Sequence, residues 1–387
     1  MGDGSIDKVI NRVLFCTSPL QVINARSAMD YMESNLKCND YVVMVHPLLL
    51  ENTKKQINHI AKILDYSNVI DLTFLEKKYN QEKERLSLIK KIFMIKRLLN
   101  DRIEKHIELQ GEISDILQKK IGKIDIVFFR MAYKYIDSLF INSQKQAKWY
   151  GIEDGLGDYI PHNWAFTTLN AHEIKHKIKS KFYSYLWYIL SVLCIRKFTE
   201  SKIVFLRPLC KYNKRFSNIK MSDSICVENF YRNNILKLAG NNNKVLSPKV
   251  IIIGSLISDP RFKLDLYREV EIYNSVVGII LERQKIRQEQ IWYKHHPRLD
   301  HTNWEYKKSN MSCSFYDYEN TGLVDIELMN ENVISVYSVG STALLYAKMI
   351  LGIPSYLIDI SKENCHPSAY KKYKYVAETY NIPIIKI

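Results

Sequence analysis

The chain has 387 residues, 47% hydrophobic and 25% charged, a composition that argues against wholesale disorder and suits two packed domains of ordinary size. Its 56 Lys and Arg against 41 Asp and Glu leave a formal charge of +15. That charge favours anionic partners without choosing among nucleic acid, acidic lipid and phosphorylated or carboxylated substrates, and a solvated Lys-rich surface accounts for it equally.

In chain order, residues 12–17 (RVLFCT) read as a buried strand, and Ser18-Pro19 opens a helix over 20–32, proline being suited to a first helical turn. A second strand is expected at 41–46, a helix at 56–64 and a third strand at 69–75. Residues 77–120 are charged and helical in period, with Leu88, Ile92, Ile95 and Leu99 on one stripe. Further strands are expected at 125–129, 149–152 and 202–206. Asn241, Asn242 and Asn243, followed by Ser247-Pro248, form the strongest linker signal. The pattern then restarts: strand 250–253, helix 265–283, strand 291–294, helix 325–329, strand 333–337, helix 342–350 and strand 355–358. The fold class expected is α/β, with two Rossmann-like domains at 8–240 and 246–387, each built on a parallel sheet, facing a central cleft.

Seven scattered cysteines with no CxxC indicate neither a disulfide framework nor a thiolate zinc site, which points to a reducing cytoplasm. The N-terminus lacks a charged segment leading into an apolar one, so no signal peptide is expected. Residues 182–195 (FYSYLWYILSVLCI) are uncharged between lysines at 175, 177, 179 and 181 and the cations Arg196 and Lys197. They suit a buried helix, or one lying peripherally on the inner face of an anionic membrane.

Four segments sit at strand ends, where α/β proteins place their ligands. Glu153-Asp154-Gly155 puts two carboxylates beside glycine, either as a polar turn or as a loop a sugar can approach with a base at hand. Gly254 and Ser255 can turn backbone N–H groups toward an anion, with Asp259 following. In residues 292–298 (WYKHHPR), His295 and His296 supply imidazole, and Lys294 and Arg298 cations, to a phosphate or a departing group, with Pro297 stiffening the turn; neighbouring histidines point to opposite faces, so a shared metal is not expected. Ser338, Ser341 and Thr342 lie in a turn that either caps a helix or offers hydroxyls to a phosphate. The chain has no Walker A, GxSxG or HExxH motif, no GxGxxG after the first strand and no Asp-x-Asp after a strand.

In order and spacing these segments resemble the bacterial sialyltransferases of glycosyltransferase family 52, the lipooligosaccharide sialyltransferase group. The likeness runs from Val13-Leu14-Phe15-Cys16-Thr17 and Pro19-Leu20-Gln21 through Glu153-Asp154-Gly155, Gly254-Ser255, His296-Pro297-Arg298 and the hydroxyl turn to Gly352-Ile353-Pro354. The acidic-Gly and His-Pro pair is shared with other bacterial sialyltransferases, polysialyltransferases included. The resemblance implies a GT-B fold and an inverting transfer of sialic acid from CMP-sialic acid, without metal or cofactor, to a galactose-terminated surface glycan of lipooligosaccharide or capsule, with α2,3 the expected linkage. It implies that His296 meets the CMP phosphate and protonates the departing nucleotide, with Gly254, Ser255, Pro297, Arg298, Ser338, Ser341 and Thr342 around the donor. Asp259 is the first choice for general base, Glu153 and Asp154 the others, and a homodimer is implied. A polysialyltransferase, or another GT-B transferase of glycosyl or polyol-phosphate groups using a cytidine nucleotide, is the alternative enzyme reading. A basic nucleic-acid-binding protein is the non-enzyme one. Dispersed charges and the lack of a recognised binding motif argue against nucleic acid as a partner.

Overall fold

The computed structural model describes residues 9–32, 37–45, 51–75, 95–130, 140, 143–144, 146–153, 204–209, 224–240, 247–254, 264–296, 299–319, 322–360 and 367–387. The chain forms two compact units, with the described residues up to Tyr231 in the first and those from Arg232 onward in the second.

The first unit contains β1 (Ile10–Cys16), α1 (Pro19–Tyr31), β2 (Cys38–Met44), α2 (Glu51–Ile63), β3 (Asn68–Asp71), α3 (Ile95–Ile121), β4 (Ile126–Arg130), β5 (Lys148–Ile152), β6 (Val204–Arg207) and β7 (Ser224–Cys226). The division falls within α4 (Glu228–Ala239). The strands make one parallel sheet in the order β3-β2-β1-β4-β5-β6-β7. β1 is central because Val13, Leu14, Phe15 and Cys16 are apolar on both faces and wholly buried, as a strand covered by helices on both sides must be. Val13 and Phe15 pack with Leu109, Ile113 and Leu117, which recur every fourth residue along α3. One charge network is sealed in this unit. Arg12 grips Asp40 with both fork nitrogens at 2.6 and 2.7 Å, and Arg26 of α1 reaches the same carboxylate at 2.6 Å, tying α1 to β1 and β2.

The second unit contains β8 (Lys249–Ile253), α5 (Leu266–Gln284), β9 (Ile291–Lys294), α6 (His301–Asn310), β10 (Ser314–Phe315), α7 (Val324–Asn330), β11 (Val333–Ser338), α8 (Thr342–Met349), β12 (Ser355–Asp359), α9 (Pro367–Thr379) and β13 (Ile384–Lys386). Its sheet is parallel in the order β10-β9-β8-β11-β12-β13. Both sheets therefore start at a central strand, step outward twice, and return to its other side, as doubly wound Rossmann sheets do. The expected α/β class with two Rossmann-like sheets is the one observed. The 19-residue α5 begins at Asp265, whose side chain accepts the Arg268 N–H at 2.7 Å, and ends where Lys285 turns left-handed at φ 51°. It buries Val270, Tyr273, Val276, Val277 and Ile280 on the sheet.

Some boundaries differ from the sequence expectations. The third strand stops at Asp71 because that side chain accepts both the N–H and the hydroxyl of Thr73, at 2.8 and 2.6 Å, and turns residues 73–75 into a helical turn. α4, α6, α9, β7, β10 and β13 were not expected. Leu88, Ile92, residues 182–195 and the Asn-rich stretch at 241–246 lie outside the described residues. Among those described, no helix is long and apolar enough to cross a membrane.

Candidate functional site

In the second unit β8 lies between β9 and β11, the point where the strand order reverses. Registers of Ile253 with Lys294 and of Ser338 with Ile253 bring the three strand ends level. Gly254, His295-His296 and the turn at Val339-Gly340 therefore leave the sheet side by side along its carboxyl edge. That edge at a topological switch point is where open α/β sheets hold their ligands.

Each turn there is pinned by a specific contact. The Gly254 N–H donates to the Lys294 carbonyl at 2.8 Å. A side chain at 254 would run into the ring of Tyr293, so close packing alone demands glycine. Gly340 meets the Tyr373 ring of α9 in the same way. Ser338 is buried; its hydroxyl donates to the Ile253 carbonyl at 3.1 Å and accepts the Gly340 N–H at 3.3 Å, lacing β11 to β8. Ser341 caps α8 by accepting the Ala343 N–H at 3.2 Å, and Thr342 is the first helical residue. Ser341 and Thr342 thus stand where a helix N-terminus meets the carboxyl edge, a placement suited to an anion.

His296 is half-buried, and its carbonyl accepts the Leu299 N–H at 2.9 Å. His295 is buried; burial first, then the Lys294 and Lys307 cations, push its imidazolium down to about 4, so this ring is neutral near pH 7. Lys294 is buried too, bound to Glu327 of α7 at 2.7 Å, with burial pushing its ammonium downward. Beneath Gly254, the Lys307 amine donates to Glu269 at 2.5 Å and to the Tyr293 hydroxyl at 2.8 Å, all three residues being buried.

Asp325, in the first turn of α7, has one buried carboxyl oxygen with no hydrogen-bond partner, and burial pushes its acid up to about 6. The folded state then holds that proton at pH values where the unfolded chain has lost it. Stability therefore declines as pH rises from about 4 to about 6, and stays reduced above. Asp325→Asn is expected to stabilise the chain by roughly 2 kcal/mol at pH 7 and by almost nothing below about pH 4. Urea unfolding at both pH values checks this; an equal gain at both would show that charge is not the cause.

In the first unit, Glu153 follows β5 directly and is wholly buried, its carbonyl accepting from the Asn24 side-chain amide of α1 at 3.1 Å. Gln21 closes the end of β1, accepting the Thr17 N–H at 2.7 Å.

Of the site residues expected from sequence, Gly254, His296, Ser338, Ser341 and Thr342 share one sheet edge, and Glu153 belongs to the first unit. Asp154, Ser255, Asp259, Pro297 and Arg298 lie outside the described residues. Sequence reasoning missed Lys307, Glu269 and Asp325; Tyr293 and Lys294 lay within the segment 292–298 that it did single out. Lys307 and Glu269 act through each other across 38 residues, and nothing local to Asp325 marks its carboxyl as buried.

Residues 12–359 match the model of a family described as alpha-2,8-polysialyltransferase. No curated protein sequence matches the chain. Among solved structures, similarity extends to a UDP-N-acetylglucosamine 2-epimerase at 11% identity and TM-score 0.48, covering 97% of this chain and 90% of that one. It also extends to E. coli heptosyltransferase WaaC with ADP-2-deoxy-2-fluoro heptose at 11% and 0.40 over 91% and 88%. Medicago truncatula UGT71G1 complexed with UDP-glucose gives 11% and 0.46 over 97% and 94%. These three are too distant to bear on what this chain does.

Proposed function

We infer that this chain, which belongs to the alpha-2,8-polysialyltransferase family, transfers sialic acid from CMP-sialic acid to a glycan acceptor. The observation that carries the reading is the family match over residues 12–359, which includes every strand end discussed above. The likeness to family 52 extends to the sialyltransferase class, to which the matched family also belongs. Because the family's description specifies an α2,8 linkage, a glycan already ending in sialic acid is the first acceptor to try, with a galactoside as the comparator. A net charge of +15 suits both a donor bearing phosphate and carboxylate and a polyanionic acceptor.

In the proposed reaction an acceptor hydroxyl forms a bond to the anomeric carbon of sialic acid as the bond from that carbon to the phosphate oxygen breaks. The hydroxyl proton passes to a carboxylate, and CMP departs. Inversion follows from a single displacement of this kind. His296 gives a proton to the departing phosphate, and the N-terminus of α8 with Ser341 and Thr342 receives its charge. The hydroxyl of Ser338 is engaged in holding the turn and acts through it. For the base, membership of a polysialyltransferase family moves Glu153, in the acidic-Gly segment those enzymes share, ahead of Asp259. Carboxylate, imidazole and helix N-terminus together need no metal.

The test is CMP release from CMP-sialic acid with EDTA present, using an oligosialic acid and lactose as alternative acceptors. Turnover with either supports the donor assignment, and the preferred acceptor identifies the linkage class. No CMP release with any acceptor would overturn the donor assignment and leave the fold untouched.

A further inference from the structure

We propose that Tyr318 is a positioning residue for His296, clamping its main chain through His295 and Leu299. The inference rests on the reading that His296 acts at the departing phosphate.

Tyr318 follows the short edge strand β10 and reaches both His295 and Leu299. On the near side its ring stacks on His295, with centroids 5.3 Å apart and planes 14° from parallel. The Tyr318 main-chain carbonyl also accepts the His295 ring N–H. The other ring nitrogen of His295, Nδ1, is buried without a partner, so Nε2 carries that hydrogen. On the far side, the Tyr318 hydroxyl donates to the Leu299 carbonyl at 3.0 Å. Leu299 in turn donates its N–H to the His296 carbonyl at 2.9 Å. One residue thus fixes both the neighbour that precedes His296 and the residue on which the His296 main chain rests. Its own ring is held in place by His301 edge-on at 4.8 Å and by Trp304 at 5.7 Å, both on α6.

The cost of this arrangement argues that it has a use. A buried imidazole nitrogen left unsatisfied destabilises the fold, and a phenylalanine at 295 would fill the same stack without that penalty. What phenylalanine lacks is the N–H that ties the strand end to Tyr318. Burial and two nearby lysines disfavour protonation of the ring, outweighing the bond to Tyr318 that favours it, so the ring donates as the neutral Nε2–H tautomer. The result is a rigid support beneath one side chain that must meet a phosphate oxygen at hydrogen-bond distance, the tolerance on which proton transfer depends.

Two single variants separate the halves of the clamp. Tyr318→Phe keeps the stack and loses the bond to Leu299; His295→Phe keeps the stack and loses the N–H. Each is expected to lower kcat by ~10- to 100-fold with the KM for CMP-sialic acid changed little, since misplacing a reacting group by about 1 Å has that effect. The double variant is expected to be no slower than the worse single one, because both act on the placement of His296. The limb of the kcat pH profile that His296→Ala removes should shift in both. Rates are taken per folded molecule, with the folded fraction measured by circular dichroism. A wild-type kcat and pH profile in Tyr318→Phe and His295→Phe, whatever their melting temperatures, would overturn the clamp. If His296→Ala itself turns over normally, the reading of His296 fails instead, and the clamp has nothing to position.

Discussion

His296→Ala is expected to lower kcat for sialic acid transfer by ~10²- to 10⁴-fold, the range over which a positioned acid or base contributes. The expectation follows from place as well as residue type. His296 leaves the carboxyl end of β9 beside Gly254 and across from the N-terminus of α8, where departing phosphate charge is best received. CMP is a fair leaving group already, so the donor should still bind and its KM should move far less than kcat. His296→Gln restores a hydrogen-bond donor without a transferable proton; partial recovery there would assign the remainder of the effect to proton transfer. Glu153→Gln is expected to match the loss in His296→Ala if Glu153 is the base, and Asp259→Ala to match it if that residue is. A fall in one carboxylate variant alone identifies the base, and full activity in both would place it at Asp154 or elsewhere.

The second large effect concerns stability. Lys307→Ala is expected to destabilise the second unit by ~3–5 kcal/mol, as removal of one partner from a buried ion pair does. Lys307 is 0% and Glu269 1% exposed, and Lys307 is the donor to both Glu269 and Tyr293. Burial pushes the carboxyl of Glu269 up and the ammonium of Lys307 down, so each is charged chiefly because the other is there. Without Lys307 the carboxyl must take up a proton or stay charged among Tyr273, Tyr293 and Val270. Replacing both partners, Lys307→Met with Glu269→Leu, should recover most of the loss, since an apolar pair of similar volume needs no desolvation. Urea unfolding followed by hydrogen exchange at α5 amides reads the second unit directly. A loss below about 1 kcal/mol in Lys307→Ala would show that the pair is already neutral in the folded chain.

The parts of the fold that were legible in the sequence are those where burial imposes a local pattern. Runs such as Val13-Leu14-Phe15 and Val250-Ile251-Ile252-Ile253 can only be central strands of a covered sheet, and α5 shows its buried stripe at every turn. α6 was missed because HTNWEYKKSN is almost wholly polar; only Trp304 and Lys307 face inward, and a lysine there reads as solvent-facing. β7, β10 and β13 have three, two and three residues, too few for any period to register. The candidate site was legible to the extent that strand ends are. Gly254, His296 and the hydroxyl turn could be placed at carboxyl ends from the pattern alone, and the sheet order then makes them neighbours. The clamp at Tyr318 and the Lys307–Glu269 pair were not, because what defines each is a partner in another element; the orphan carboxyl of Asp325 was not, because only the folded surroundings bury it.

Ser338 and Ile253, joined by the hydroxyl that laces β11 to β8, are 85 residues apart in the chain. β8 is made first during synthesis, yet the edge it shares with β11 cannot form until β9, α6, β10 and α7 have been delivered between them. Closing such long loops is slow, and contacts of this separation come late in folding. The edge is therefore completed in two stages: a nascent or truncated chain ending before β11 can pair β8 with β9 and set Gly254 beside the start of the His295-His296 segment, but lacks Ser338, Ser341 and Thr342. Such a chain has the imidazole of the proposed site without the helix N-terminus that completes it.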